Sequence, residues 1–172
     1  MELRFLPPDL RRLDTASVEL CACSLWSDER PARGFAGLID WRLGGRISGL
    51  LKSGFYRGEL GEALLVPGKP HVPFEKVLVI GLGSRASFGE DRFREGVLHI
   101  AAALERLRVR RAVVELPGRG CAAIEPEPAI TLMLECVGAS ADHDMWWLVE
   151  PPADQKRTEL RAAEERRRIR SA

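Results

Sequence analysis

Residues 44 to 84 constrain the fold of this chain more than any other stretch. Helix-spaced apolar residues (Ile47, Leu50, Leu51) lead into a segment punctuated by Gly54, Gly58 and Gly61. A short run at 62 to 66 (EALLV), a Pro-Gly-Lys-Pro turn and the run 76 to 80 (KVLVI) follow, and the last ends in Gly81-Leu82-Gly83. KVLVI is the most strand-like run in the chain, and an apolar residue at nearly every position marks a strand covered on both faces. Helix, turn, strand, turn and buried strand in that order call for layers on each side of a sheet.

The rest of the chain reads consistently with that demand. Residues 2 to 6 alternate as a short strand ended by Pro7-Pro8, and 17 to 26 (SVELCACSLW) form a β-rich, mostly apolar run. Leu38, Ile39, Leu43, Ile47, Leu50 and Leu51 recur at helical spacing across Gly44-Gly45, which predicts a bend or two shorter helices. Ser87 with Glu90 reads as a capping box opening a helix whose apolar face is Phe93, Val97, Ile100, Ala101, Leu104 and Leu107. A strand at 111 to 116, a buried helix at 126 to 137 with proline at its start, and a strand at 144 to 149 complete the order before Pro151-Pro152. The remainder is helix-prone and carries only Leu160 and Ile169 as sizeable apolar residues, so it is expected to be solvated, docked on a partner or frayed.

Composition excludes several classes. A chain of 172 residues with 45% hydrophobic residues can bury a core of ordinary size. Its 26 basic and 25 acidic residues leave a formal charge of +1, which provides no global field for nucleic acid or an anionic membrane. No run approaches the roughly 20 apolar residues of a membrane helix, and the first residues lack the apolar core of a signal peptide, so the expected location is the cytoplasm. Cys21 and Cys23 fall on one face of a strand, where a disulfide between them is geometrically poor, and with Cys121 and Cys136 they are expected to be reduced thiols.

From about residue 17 to 150 the chain resembles the amino-terminal domain of the leucyl (cytosol) aminopeptidases, a family of two-domain metallopeptidases. The segments that carry the resemblance are LGGRISGLLKSGFYRGELGEALLVPG, and EKVLVIGLG followed by FREGVLHIAAALERL. The resemblance implies a macro-domain-like α/β fold, a mixed, largely parallel sheet flanked by helices on both faces, over residues 1–150, with a charged carboxy-terminal helix or tail over 151–172. In that family this domain is not catalytic. The family's active site lies in a carboxy-terminal domain, where a lysine and several carboxylates within motifs resembling NTDAEGR and Gly-Lys-Gly bind a pair of divalent metals. Neither motif is present, and Lys52, Lys69, Lys76 and Lys156 stand in other settings. The expectation is therefore a stand-alone, non-catalytic domain with no catalytic residue, no metal ligand and no cofactor. Its expected partner is itself or another protein, such as a separate peptidase, in assembly or regulation.

A second expectation rests on Gly81-Leu82-Gly83-Ser84-Arg85-Ala86, which fits G-x-G-x-x-G/A after a buried strand. In dinucleotide folds such glycines let backbone amides approach a pyrophosphate at a helix amino terminus. The acid that should follow about 20 residues later is replaced by Glu115, 34 residues after Gly81, which favours a plain strand-to-helix turn. The resemblance to macro domains, which bind ADP-ribose through glycine-rich loops, keeps a nucleotide ligand at Gly81, Gly83 and Ser84 as the alternative function. His71, His99 and His143 are too far apart to form a metal or base site by spacing, and each is expected at the surface or hydrogen-bonded. Trp146 and Trp147, as strand neighbours, face opposite sides of the sheet. The terminal Glu164-Glu165-Arg166-Arg167-Arg168-Ile169-Arg170 cluster is a weaker alternative, for nucleic acid, with a solvated helix end preferred.

Overall fold

The structure, a computed structural model, describes residues 1–140 and 142–171, with the side chains of 169–171 outside the description. In chain order the elements are β1 (Glu2–Leu6), α1 (Leu10–Leu13), β2 (Leu20–Leu25), α2 (Gly34–Arg42), α3 (Arg46–Ser53), β3 (Ala63–Pro67) and β4 (Lys76–Gly81). They continue with α4 (Glu90–Arg106), β5 (Arg111–Val114), α5 (Pro126–Val137), β6 (Met145–Val149) and α6 (Pro152–Ser171). Short 3-10 turns at Arg85–Ser87 and Arg119–Cys121 follow β4 and β5.

The strands form one six-stranded sheet in the order β1-β6-β5-β2-β4-β3. All neighbours pair in parallel except β3, which runs antiparallel along β4 at one edge. Alternation along each strand feeds two cores. Cys21, Cys23, Val77, Val79 and Val113 point to one face, where Phe35, Ile39, Ile47 and Leu51 of α2 and α3 cover them. Leu20, Ala22, Leu78, Ile80, Val114 and Trp146 point to the other, under α4 and α5. Helices α2 to α5 thus each bury one stripe against a sheet that is itself buried on both sides, as parallel crossovers require. The neighbouring tryptophans divide as their spacing predicts: Trp146 is fully buried, and Trp147 lies partly buried on the opposite face with Arg4 stacked 5.2 Å from its ring.

The Gly44-Gly45 break does separate two helices, and a buried carboxylate holds them together. Asp40, near the end of α2, accepts the Ile47 amide at 2.7 Å, the Ser48 amide at 3.3 Å and the Ser48 hydroxyl. It does the work of an N-cap for α3 from the preceding helix, because the true N-cap residue, Gly45, has no side chain.

Three expectations change. Ser87 does not cap α4; it closes the 3-10 turn, and Gly89 in extended conformation is the N-cap residue of a helix that starts at Glu90. The carboxy-terminal helix is docked on its own chain rather than solvated. Thr158, Ala162 and Glu165 are buried against α5, where the small side chains of the first two allow close approach and Arg161 pairs with Glu165. Within the basic cluster after Glu165, Arg166 donates to the Met1 carbonyl and Arg168 pairs with Glu135 and Glu165, while the side chains of Ile169 and Arg170 lie outside the described residues. Third, His143 is neither exposed nor hydrogen-bonded. Both ring nitrogens are buried without partners, Glu105 stands 3.6 Å away, and burial pushes the imidazole pKa down.

Replacing Asp40 by alanine leaves the first amides of α3 unpaired in a buried setting. About 1–3 kcal/mol of stability should be lost, with Asp40→Asn retaining part of it; equilibrium denaturation in urea measures both.

Candidate ligand cleft at the carboxyl ends of β2 and β5

The sheet order places β2 between β4 and β5, so the crossover from β4 through α4 passes over β2 to reach β5. From β2 the chain moves toward one edge, through β3 and β4, and from β5 it moves toward the other. A crevice at the carboxyl ends of strands where crossovers diverge is the usual ligand position in open α/β sheets. Here a polar cleft of about 230 Å³ opens at that point, between Ser24 and Trp26 of the β2 end and Glu115 after β5, with Arg33 and Arg85 at its rim.

Glu115 is the buried acid of this cleft. Only 5% of it is exposed, its amide donates to the Ala22 carbonyl at 2.9 Å, and its Oε2 accepts one long bond, 3.4 Å, from the Ser24 amide. Desolvation, reinforced by nearby Glu29 and Glu150, raises its pKa from 4.5 to about 8, which favours the protonated carboxyl at neutral pH. The loop after β5 accommodates it by having glycine at 120, since a Cβ there would lie 2.1 Å from Glu115 Oε1. Beyond Glu115 lies a mainly apolar hollow of about 290 Å³, walled by Pro8, Phe35, Leu38, Val149 and Pro151. Glu115, Gly34 and Gly120 border both spaces.

A buried ion pair fixes the floor of the apolar hollow. Arg119 donates to Glu150 at 2.9 and 2.7 Å, to Asp154 at 2.8 Å and to the Ile124 carbonyl at 2.6 Å. This joins the loop after β5 to the end of β6 and the start of α6. Because both Arg119 and Glu150 are buried, removing either partner would strand the other's charge. On the polar side, the Arg85 guanidinium donates to the Cys121 carbonyl at 3.3 Å and ties the turn after β4 to the loop after β5. Trp26 is held edge-on to Phe88 at 4.9 Å.

The residues singled out in the glycine turn lie beside this cleft. The amides of Gly81 and Gly83 donate to the carbonyls of Glu62 and Gly58 at 2.8 and 3.0 Å. Gly81 is glycine because a Cβ would lie 2.0 Å from the Glu59 carbonyl oxygen. The Ser84 hydroxyl donates to Asp28 at 3.2 Å, and the Arg85 amide reaches the same carboxylate at 3.3 Å. Gly81, Gly83 and Ser84 therefore shape the turn that carries Arg85. The residues that line the cleft itself, Ser24, Arg33, Glu115 and Gly120, carry no ligand signature in the sequence beyond the spacing of Glu115. The signal that could have found them is the Gly118-Arg119-Gly120 run immediately after a crossover strand. The three histidines lie apart from the cleft lining, and no group of three or more metal-ligating side chains exists among the described residues. No helix there is long and apolar enough to cross a membrane.

The protonation state of Glu115 has a stability consequence. Its folded-state pKa lies above the unfolded value, so the folded form is favoured fully below about pH 4.5 and loses that advantage as pH rises toward about 8. Glu115→Gln should match the native protein near the lower pH and exceed it increasingly up to the higher one; urea midpoints collected across that range check it.

The model of the cytosol aminopeptidase family's N-terminal domain matches residues 25–134. A probable cytosol aminopeptidase of Halorhodospira halophila is 34% identical over 123 residues, covering 70% of this chain and 24% of that protein, so the chain spans about a quarter of the relative's length. Among solved structures, a Trypanosoma brucei macrodomain in complex with ADP superimposes with a TM-score of 0.71 at 16% identity, covering 94% of this chain and 69% of that one. A tomato leucine aminopeptidase does so with a TM-score of 0.63 at 14% identity, covering 94% of this chain and 35% of that one. At such identities the two structures share the fold. The chain belongs to the cytosol aminopeptidase family, which it matches through that family's N-terminal domain.

Proposed function

We propose that this domain is a non-catalytic binding module that takes a phosphate-bearing nucleotide, ADP or ADP-ribose, in the cleft at the carboxyl ends of β2 and β5. The observation that carries the reading is the cleft itself. Two arginines, Arg33 and Arg85, stand at the rim of a crevice at the sheet's topological switch point, next to an apolar hollow. A guanidinium pair suits a pyrophosphate through charge-assisted hydrogen bonds, and an apolar wall suits a base or ribose face. The polar and apolar spaces together fall within the range of about 300–1,000 Å³ typical of small-molecule sites. The macrodomain that shares this fold is described in complex with ADP, which supports the choice of ligand. In this reading the glycine turn at 81–84 contributes by presenting Arg85, and Ser84 lies at its edge.

A second reading, association with protein, has its own observation. Trp41 and Phe55 are 72% and 75% exposed, and large aromatic residues are enriched where protein surfaces meet. The partner would be another copy of this chain or a separate protein such as a peptidase.

Calorimetric titration should show ADP-ribose and ADP binding, with Arg33→Ala and Arg85→Ala each weakening affinity by about tenfold or more. Absence of heat with both nucleotides at millimolar concentration would remove the nucleotide reading. Sedimentation velocity addresses the other: a species larger than the monomer that Trp41→Ser with Phe55→Ser dissociates supports self-association, and a monomer at all concentrations excludes it.

A further inference from the structure

The cleft holds one group that its two arginines do not explain. Glu115 is more than nine-tenths buried, borders both the polar cleft and the apolar hollow, and has a single long hydrogen bond to its Oε2. Its Oε1 packs against the backbone of Gly120, where a Cβ would lie 2.1 Å from it. A carboxyl at the waist between two chambers faces whichever part of a ligand joins them.

We propose that Glu115 is the selectivity element of the cleft: as a neutral acid it donates a hydrogen bond from its carboxyl to an acceptor oxygen at the junction of the ligand's anionic and apolar parts, and as a carboxylate it repels that ligand. This deepens the nucleotide reading and rests on it. An uncharged carboxyl can sit against a phosphate or ribose oxygen and satisfy it. An ionised one would place like charge beside a pyrophosphate in a poorly solvated site, where repulsion is weakly screened.

Burial and two neighbouring acids favour the neutral form. Cys21 and Cys23 on β2 are buried thiols whose pKa values burial pushes up, so they stay uncharged. Glu29 beyond β2 and Glu150 at the end of β6 act against a second negative charge, and Glu29 itself is shifted upward by burial. Arg119 on the loop after β5 is engaged by Glu150 and Asp154. Arg33 before α2 and Arg85 after β4 line the same cleft. Among the described residues, the direct contact that favours ionisation is the Ser24 amide.

The test is calorimetry with ADP-ribose from about pH 6 to about pH 9.5, on the native protein and on Glu115→Gln. ADP-ribose is suitable because its pyrophosphate stays doubly ionised over that range. With Glu115 titrating near pH 8, native affinity should fall about tenfold between about pH 7 and about pH 9. Repeating the titration near pH 9 in two buffers of different ionisation enthalpy should reveal proton uptake on binding. In Glu115→Gln, whatever its absolute affinity, the ratio of affinities at the two pH values should be close to one and the uptake should vanish. Native affinity that stays flat, or a decline that persists in Glu115→Gln, overturns the proposal while leaving the nucleotide site standing. No binding by the native protein at any pH overturns both. If Glu115→Gln does not fold, the native pH profile with its proton uptake decides the matter alone.

Discussion

A parallel strand covered on both faces exposes its ends and little else, and this constraint governs the molecule. β2, β4 and β5 send alternate side chains into two separate cores, so no face of the central sheet reaches solvent. Polar groups beside the central strands have room where those strands stop. At the carboxyl ends, Glu115, Arg119 and Glu150 are buried within two residues or a short loop of strands that are otherwise apolar. Their burial is tolerated because each is paired or protonated, as isolated charges in that position would cost several kcal/mol, on the order of the protein's whole stability.

Periodicity made the two cores and much of the element order legible. The run at 76–80 and the helix at 126–137 could be read almost to the residue because a strand apolar throughout and a proline-started apolar helix have few alternatives. The break at Gly44-Gly45 was visible as two glycines inside a helical pattern, but the carboxylate that bridges it was not, since Asp40 looks like any polar helix residue until α3 folds back toward it. α6 was misread for the opposite reason. Its contact with α5 uses threonine, alanine and an ion-paired glutamate, none of which registers as an apolar stripe.

The cleft was the least legible feature. Glu115 and Ser24 lie 91 residues apart and meet only because β5 pairs with β2 rather than with β4, the strand that precedes it in sequence. Spacing rules for dinucleotide folds assume that a strand and the next one in sequence are neighbours, and here β2 is interposed. An acid distant from the glycine turn in sequence therefore sits beside the end of β2 instead. The turn at 81–84 drew notice because its glycines match a known spacing, yet the crowding that demands glycine at 81 comes from the Gly58-Glu59 backbone.

Asp28 gives that turn a further property. Its carboxylate already sits on the Ser84 hydroxyl and the Arg85 amide, the groups a small anion would seek. Being part of the chain, it acts there as a tethered competitor, at an effective concentration on the order of millimolar. Any anion reaching those two donors would first have to displace a carboxylate that the fold already holds in place.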